Sequence, residues 1–160
     1  MSRELREPLV ASLGAEIRAN QATVDAFDEA VAVHLGVNRT DLRCLDVLMQ
    51  ELDGEATPGQ LGARLGLTTG SVTAMVDRLA RLGYVTRSPD PADRRKVVVR
   101  PTETIVARAG EIYGPLVVEG AAMLADYTQQ QLELIADFMR RSRTLQQTHL
   151  DRLRAARPSA

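Results

Sequence analysis

A chain of 160 residues with 44% hydrophobic content can bury one respectable core and lacks the low hydrophobicity of a disordered protein. Aromatics are only 3% and Trp is absent, while Leu, Ala, Val and Arg dominate, so helices are favoured over a β-sandwich or barrel. With a net charge of −1, any binding of a polyanion has to rest on a local basic patch.

Along the chain, Leu9, Leu13, Ile17, Val24, Phe27, Val31 and Leu35 recur at helical spacings and predict a long amphipathic helix from Leu9 to His34. The start "MSRELREPLV" lacks the basic then apolar order of a signal peptide, and no run approaches the ~18 apolar residues of a membrane span, so a cytoplasmic protein is expected. In "LGVNRTD", Gly36 is placed to stop the first helix and Thr40 to cap a second one, from about Asp41 to Leu52, carrying Leu42, Leu45, Leu48, Met49 and Leu52. The lone cysteine, Cys44, falls inside that helix, excludes an intrachain disulfide, and reads as a small buried hydrophobe beside Leu45 and Leu48 rather than a redox sensor.

Thr57 followed by Pro58 is a strong helix start, because the hydroxyl can cap free amides and proline suits a first turn that needs no N–H. The short helix "PGQLGARLG" buries Leu61 and Leu65 and ends at Gly66. "LTTGSVTAMVDRLARLG" then begins another helix with Thr68 or Thr69 as the cap. Its apolar stripe is Val72, Val76 and Leu79, helped by Met75 and Leu82, while Thr69, Ser71, Thr73, Ala74, Arg78 and Arg81 lie elsewhere around it.

"YVTRS" and "KVVVRPT" are rich in β-branched residues and flank a loop of Pro89, Asp90, Pro91, Ala92 and Asp93, which predicts a hairpin with a protruding tip that Pro89 and Pro91 keep out of any larger sheet. Helix resumes after Thr102 with Ile105, Ala109, Ile112, Leu116 and Leu124 on its apolar side and a bend at Gly114 and Pro115. A boundary near Tyr127 and Thr128 precedes a last helix bearing Leu132, Ile135, Met139, Leu145, Leu150 and Leu153, with Phe138 beside them. The terminal "RLRAARPSA" is expected to fray. The first and last helices together offer more apolar surface than a small domain can use.

Two helices joined by a short turn, the second with a small polar outer face, followed by a basic hairpin, make a winged helix-turn-helix: a mostly α fold with a small β-wing. Thr68, Thr69, Gly70, Ser71, Thr73 and Ala74 leave the leading end of the second helix small enough to approach base edges and phosphates in a major groove. From Asp77 to Arg100 there are seven basic residues (Arg78, Arg81, Arg87, Arg94, Arg95, Lys96, Arg100) against three acids (Asp77, Asp90, Asp93), a local charge of +4 that leaves −5 for the rest. Charge is thus concentrated where a DNA-binding wing requires it. Arg outnumbers Lys nineteen to one, so an isolated Arg says little; the "DRRK" cluster at the loop tip is the informative one.

Residues 57 to 102, "TPGQLGARLGLTTGSVTAMVDRLARLGYVTRSPDPADRRKVVVRPT", resemble the MarR family of bacterial transcription regulators, most specifically in "VDRLARLGYV" joined to a wing containing "PADRRK". The resemblance implies a single domain over residues 1–160, with a winged helix-turn-helix lobe at 40–101 and dimerisation helices at 1–36 and 102–156. It implies recognition through Thr68, Thr69, Gly70, Ser71, Thr73, Ala74 and Arg78, and a wing formed by Arg87, Asp93, Arg94, Arg95 and Lys96. In it, Asp93 braces the loop, Arg95 enters a minor groove and Arg94 reaches phosphate. It further implies a homodimer on a pseudo-palindromic operator in double-stranded DNA, acting as a repressor that a small aromatic or amphipathic effector releases.

Other readings stand beside this one. A winged helix can serve as a protein-interaction module without sequence-specific DNA binding, and it would then show a weak salt response and indifference to Arg95. "GLTTGS" lacks the Lys and glycine spacing of a phosphate-binding loop. No nucleophile, base and orienter can be grouped, so no catalytic site is expected. His34 and His149 are more than a hundred residues apart, so neither a metal nor a cofactor is expected. His34 reads as a charge complementing the end of the first helix or as a pocket residue, and His149 as a seam or surface residue.

Overall fold

The computed structural model describes residues 3–52, 54–90, 93 and 96–156. Helix α1 (Arg3–Leu35) is followed by α2 (Arg39–Asp46), a π-helical turn (Val47–Glu51), α3 (Pro58–Leu65), α4 (Thr69–Arg81), strands β1 (Val85–Pro89) and β2 (Val97–Pro101), α5 (Glu103–Leu124) and α6 (Gln129–Ala155). The chain divides into two units, Met1–Ile112 and Tyr113–Ala160.

In the first unit the core is built where the helix-turn-helix and the hairpin converge. Leu42, Cys44, Leu45, Val47 and Leu48 supply one side, Leu61 and the α4 stripe of Val72, Met75, Val76 and Leu79 another, and Tyr84, Val85, Val98, Val99 and Ile105 close it. In α1 the last turn, at Val31, Ala32 and Leu35, is buried, whereas Leu9, Leu13, Ile17 and Val24 of the same stripe are exposed. Leu82 departs from its expected place: it caps the C-terminus of α4 and stands 41% exposed. The helical period that carries it toward the stripe ends with Arg81.

The helix ends follow local chemistry, with two corrections. Gly36 stops α1 with a φ of 68°, a conformation that favours glycine. The cap of α2 is Asn38, not Thr40: Asp41 N–H donates to Asn38 Oδ1 at 2.9 Å while Asn38 N–H reaches Asp41 Oδ2 at 3.5 Å. Asn caps at least as well as Thr, and Asp at the third helical position completes a reciprocal pair that Thr40 has no partner to make. The second helix also does not stay α-helical to Leu52. After Asp46 it widens into the π turn, and the Leu48 carbonyl accepts from Gly54 N–H at 2.9 Å. Apolar spacing alone could not separate this wider turn from an α-helix.

Thr57 caps α3 as expected, with Gln60 N–H donating to Thr57 Oγ1 (3.3 Å) and Thr57 N–H to Gln60 Oε1 (2.8 Å). Thr68 is the cap of α4, accepting from Ser71 N–H at 3.3 Å. At Gly62 a Cβ would lie 3.2 Å from the Leu67 carbonyl and 3.4 Å from Val72, so glycine lets α3 meet the start of α4 closely.

The strands pair antiparallel from Val85 opposite Pro101 to Pro89 opposite Val97, so Pro89 belongs to β1 and not to the loop. As the final residue of a short strand it removes no interior ladder bond. Ala56 adds a one-residue third rung, exchanging hydrogen bonds with Val99 at 3.0 and 2.8 Å, and ties the hairpin to the segment before α3.

In the second unit α6 starts at Thr128, whose hydroxyl caps Gln131 N–H at 3.3 Å. It runs to Ala155, so most of "RLRAA" is helical; the last four residues of the segment expected to fray lie outside the described residues. None of the described residues beyond Ile105 is buried.

Candidate nucleic-acid interface

Helix α4 projects its leading turns outward. Thr69, Gly70, Ser71, Thr73 and Ala74 are all exposed, while Val72, Met75 and Val76 between them are buried. The first-turn amides have no intrahelical acceptors, and with the aligned peptide dipoles they give this end a positive potential. Hydroxyls surround it: Thr68 Oγ1 lies 3.0 Å from Ser71 Oγ, and Thr73 Oγ1 donates to the Thr69 carbonyl at 3.0 Å. A Cβ at Gly70 would meet nothing within 4 Å, so packing inside the chain does not call for glycine there.

The arginines flanking this helix are already engaged. Arg87, on β1, reaches back across α4, with Nη1 2.6 Å from Asp77 Oδ1 and Nη2 donating to the Thr73 carbonyl at 3.2 Å. The root of the wing is therefore pinned to the helix that carries the small residues. Arg100, on β2, binds Glu55 through Nε at 2.9 Å and Nη2 at 2.6 Å, and donates from Nη1 to Ser88 Oγ at 2.6 Å. Arg78 donates from Nε and Nη2 to the two carboxylate oxygens of Asp41, at 2.6 and 2.5 Å. That hydrogen bonding pushes the Arg78 pKa above its ordinary value, so the guanidinium keeps its charge at any working pH.

At the tip, Asp90 N–H donates to the Lys96 carbonyl (2.9 Å), Lys96 N–H to the Asp93 carbonyl (2.8 Å), and Asp93 N–H to Asp90 Oδ1 (3.2 Å). Lys96 is exposed, with Nζ 3.9 Å from Asp93 Oδ2. Arg94 and Arg95, with Pro91 and Ala92, lie outside the described residues.

Asp41, Asp77 and Glu55 are the partners that sequence reasoning did not assign. Asn38-x-x-Asp41 carries a capping-box signal, which points to a helix start but not to Arg78, 37 residues away. Among the described residues no group of His, Cys, Asp and Glu could hold a metal ion, and no helix is long and apolar enough to cross a membrane. His34, in the last turn of α1, and His149, on α6, are both exposed.

Cys44 is fully buried, and burial, reinforced by the Asp41 carboxylate, pushes its thiol up to about 12. The thiolate is the reactive form, so the thiol should be inert in the folded chain. Iodoacetamide at pH 8 is expected to leave native protein unlabelled and to alkylate Cys44 fully in urea; mass spectrometry reads both, and rapid native labelling would contradict the burial. Only the unfolded chain can release this proton near 9, so Cys44 lowers stability as pH rises from about 9 toward 12.

A capped two-helix unit with an exposed small-residue face, braced against a two-stranded hairpin, defines a winged helix-turn-helix DNA-binding protein. The MarR family model matches residues 35–96. The uncharacterized HTH-type transcriptional regulator YcgE of Bacillus subtilis (strain 168) is 40% identical over 128 residues, covering 80% of this chain and 82% of that one. The chain belongs to the MarR family and is a DNA-binding transcriptional regulator. Two solved structures share the fold: a MarR family protein from Bacillus stearothermophilus (TM-score 0.61, 24% identity, 90% of this chain and 97% of that one) and YusO of Bacillus subtilis (TM-score 0.61, 18% identity, 90% and 99%).

Proposed function

We propose that the chain is a homodimeric repressor that reads a pseudo-palindromic operator in double-stranded DNA and leaves it when a small aromatic or amphipathic effector binds. The observation that carries the reading is the exposed leading face of α4, with the wing root pinned to it by Arg87. Thr69, Gly70, Ser71, Thr73 and Ala74 enter the major groove, and the open space around Gly70 admits a base edge or phosphate. Arg87 acts by holding the wing at a fixed distance from that helix, while Asp93, Arg94, Arg95 and Lys96 carry the wing to the adjoining backbone and minor groove. The operator places the protein in the cytoplasm, with the DNA.

Dimerisation is supported by the exposed apolar stripes of α1 and α6, which a second copy would cover. Two recognition helices would then stand about one helical turn apart, ~34 Å, and half-site spacing follows from that symmetry. Effector release and repression rest on the family resemblance, and a shift of the dimer that alters the spacing suffices for release.

Fluorescence anisotropy of the purified protein against DNA upstream of its own gene, beside a scrambled duplex and titrated with salt, tests the reading. Specific binding that falls steeply with salt is expected. In the same assay Arg95→Ala should weaken operator binding by about 1 to 3 kcal/mol and leave the oligomeric state unchanged. Equal affinity of mutant and parent at matched salt would remove Arg95 from the interface. Equal weak binding to both duplexes, followed by failure to enrich any sequence from a random pool, would favour a protein-interaction module.

A further inference from the structure

Asp41 is a charged side chain with 0% exposure, and its carboxylate does two jobs. One oxygen accepts from the Asn38 amide and helps cap α2, and both accept from Arg78 of α4. Arg78 lies seven residues beyond Ser71, two turns along the same face of α4, where a side chain would be expected to point at DNA. Its guanidinium instead turns onto α2, although the side chain keeps 38% exposure. A planar fork gripping a carboxylate with two parallel bonds fixes direction as well as distance, which a single bond or a point charge does not. The carboxylate cannot swing to follow, because it is enclosed and held at the start of α2. Ser71 and Arg78 are about 10 Å apart along the axis, so a small tilt at Arg78 displaces the leading turns. Groove readout tolerates about 0.5 Å of such misplacement.

We infer that Asp41, acting through Arg78, is a positioning residue that sets how α4 seats in the major groove, so that a side chain unable to touch DNA governs discrimination between operator and other sequences. The inference rests on the DNA reading of α4 given above.

The test uses full-length protein and two labelled duplexes, one enriched by the wild-type protein from a random-sequence pool and one scrambled. Asp41→Asn keeps the shape and loses the charge; Arg78→Lys keeps the charge and loses the fork. Each is studied at a temperature where its far-ultraviolet circular dichroism is that of the folded protein. Both are expected to lose about tenfold or more of operator affinity while scrambled-duplex affinity holds within about twofold. The double variant should be no worse than either single one. The slope of log K against log salt on the scrambled duplex should be unchanged, because no phosphate contact has been removed.

A merely structural role would lower the melting temperature and leave discrimination in the folded protein untouched, and that result overturns the inference. So does a silent Asp41→Asn paired with an Arg78→Gln that flattens the salt slope by about one, the signature of a direct phosphate contact. If Asp41→Asn does not fold, Arg78→Lys decides alone, since its side chain reaches the surface. Wild-type protein that enriches no sequence from the pool defeats the DNA reading and this inference together, whereas wild-type discrimination shared by both variants defeats this inference alone.

Discussion

Leu45→Ala is expected to lower the unfolding free energy by about 2 to 5 kcal/mol, the range for truncating a fully enclosed leucine. Leu45 has no exposed surface, and its helix, α2, packs against α1, α3 and α4, so the cavity opens where the first unit's helices meet. Alanine is the best helix former, so the change costs α2 nothing in propensity and the loss reports packing alone. Domains of this size have roughly 5 to 15 kcal/mol in hand, and the variant should melt about 5 to 15 °C lower. Urea unfolding followed by circular dichroism measures it, with Leu82→Ala as the comparison. Leu82 is exposed at the end of α4, and its truncation should cost under about 1 kcal/mol. Equal losses at the two sites would mean that the core is not centred on α2.

These positions also mark how far the sequence could be read. Where a signal is local, residue chemistry and structure agree: Thr57 and Pro58 start α3, Gly66 ends it with a φ of 68°, and Thr128 starts α6. The hairpin and the small outer face of α4 were legible for the same reason, since alternation, turn residues and helical period act over a few positions. Asn38 and Thr40 are both good caps two residues apart, and only the reciprocal bond from Asp41 decides between them. The π turn after Asp46 leaves the leucine spacing intact and so gives no warning. Arg78 and Arg87 show the deeper limit. Their spacing places them on the face or strand expected to meet DNA, but what each guanidinium touches depends on Asp41 and Asp77, and packing alone brings those partners to them. A basic count over residues 77 to 100 therefore exceeds the charge left for phosphate, because Arg78, Arg87 and Arg100 each face a carboxylate.

The substitution of largest expected effect is Met139→Asp with Leu153→Asp on α6. This helix is 27 residues long, about 40 Å, and none of it is buried. Ile135, Met139, Leu150 and Leu153 follow one another by four, eleven and three residues and so share a face, with Met139 59% and Leu153 71% exposed. Within one chain, aspartate at either position meets water and should leave the helix content unchanged. In a two-fold dimer seam each substitution occurs twice, placing four carboxylates where apolar contacts stood. At about 2 kcal/mol apiece the dimer would weaken by roughly 8 kcal/mol, on the order of a million-fold in its dissociation constant. Sedimentation velocity should then find a folded monomer at micromolar concentration where the parent protein is expected to sediment as the proposed dimer. Operator affinity should fall with it, because the second half-site no longer benefits from the high effective concentration that linkage provides, a factor of about 10² to 10⁴. Scrambled-duplex binding should fall far less, since the phosphate contacts proposed for each wing do not depend on the second copy. A variant that remains dimeric would move the seam off this face of α6. A parent protein that is itself monomeric yet discriminates its operator would separate DNA recognition from dimerisation, and a single winged helix would then have to supply all of the specificity.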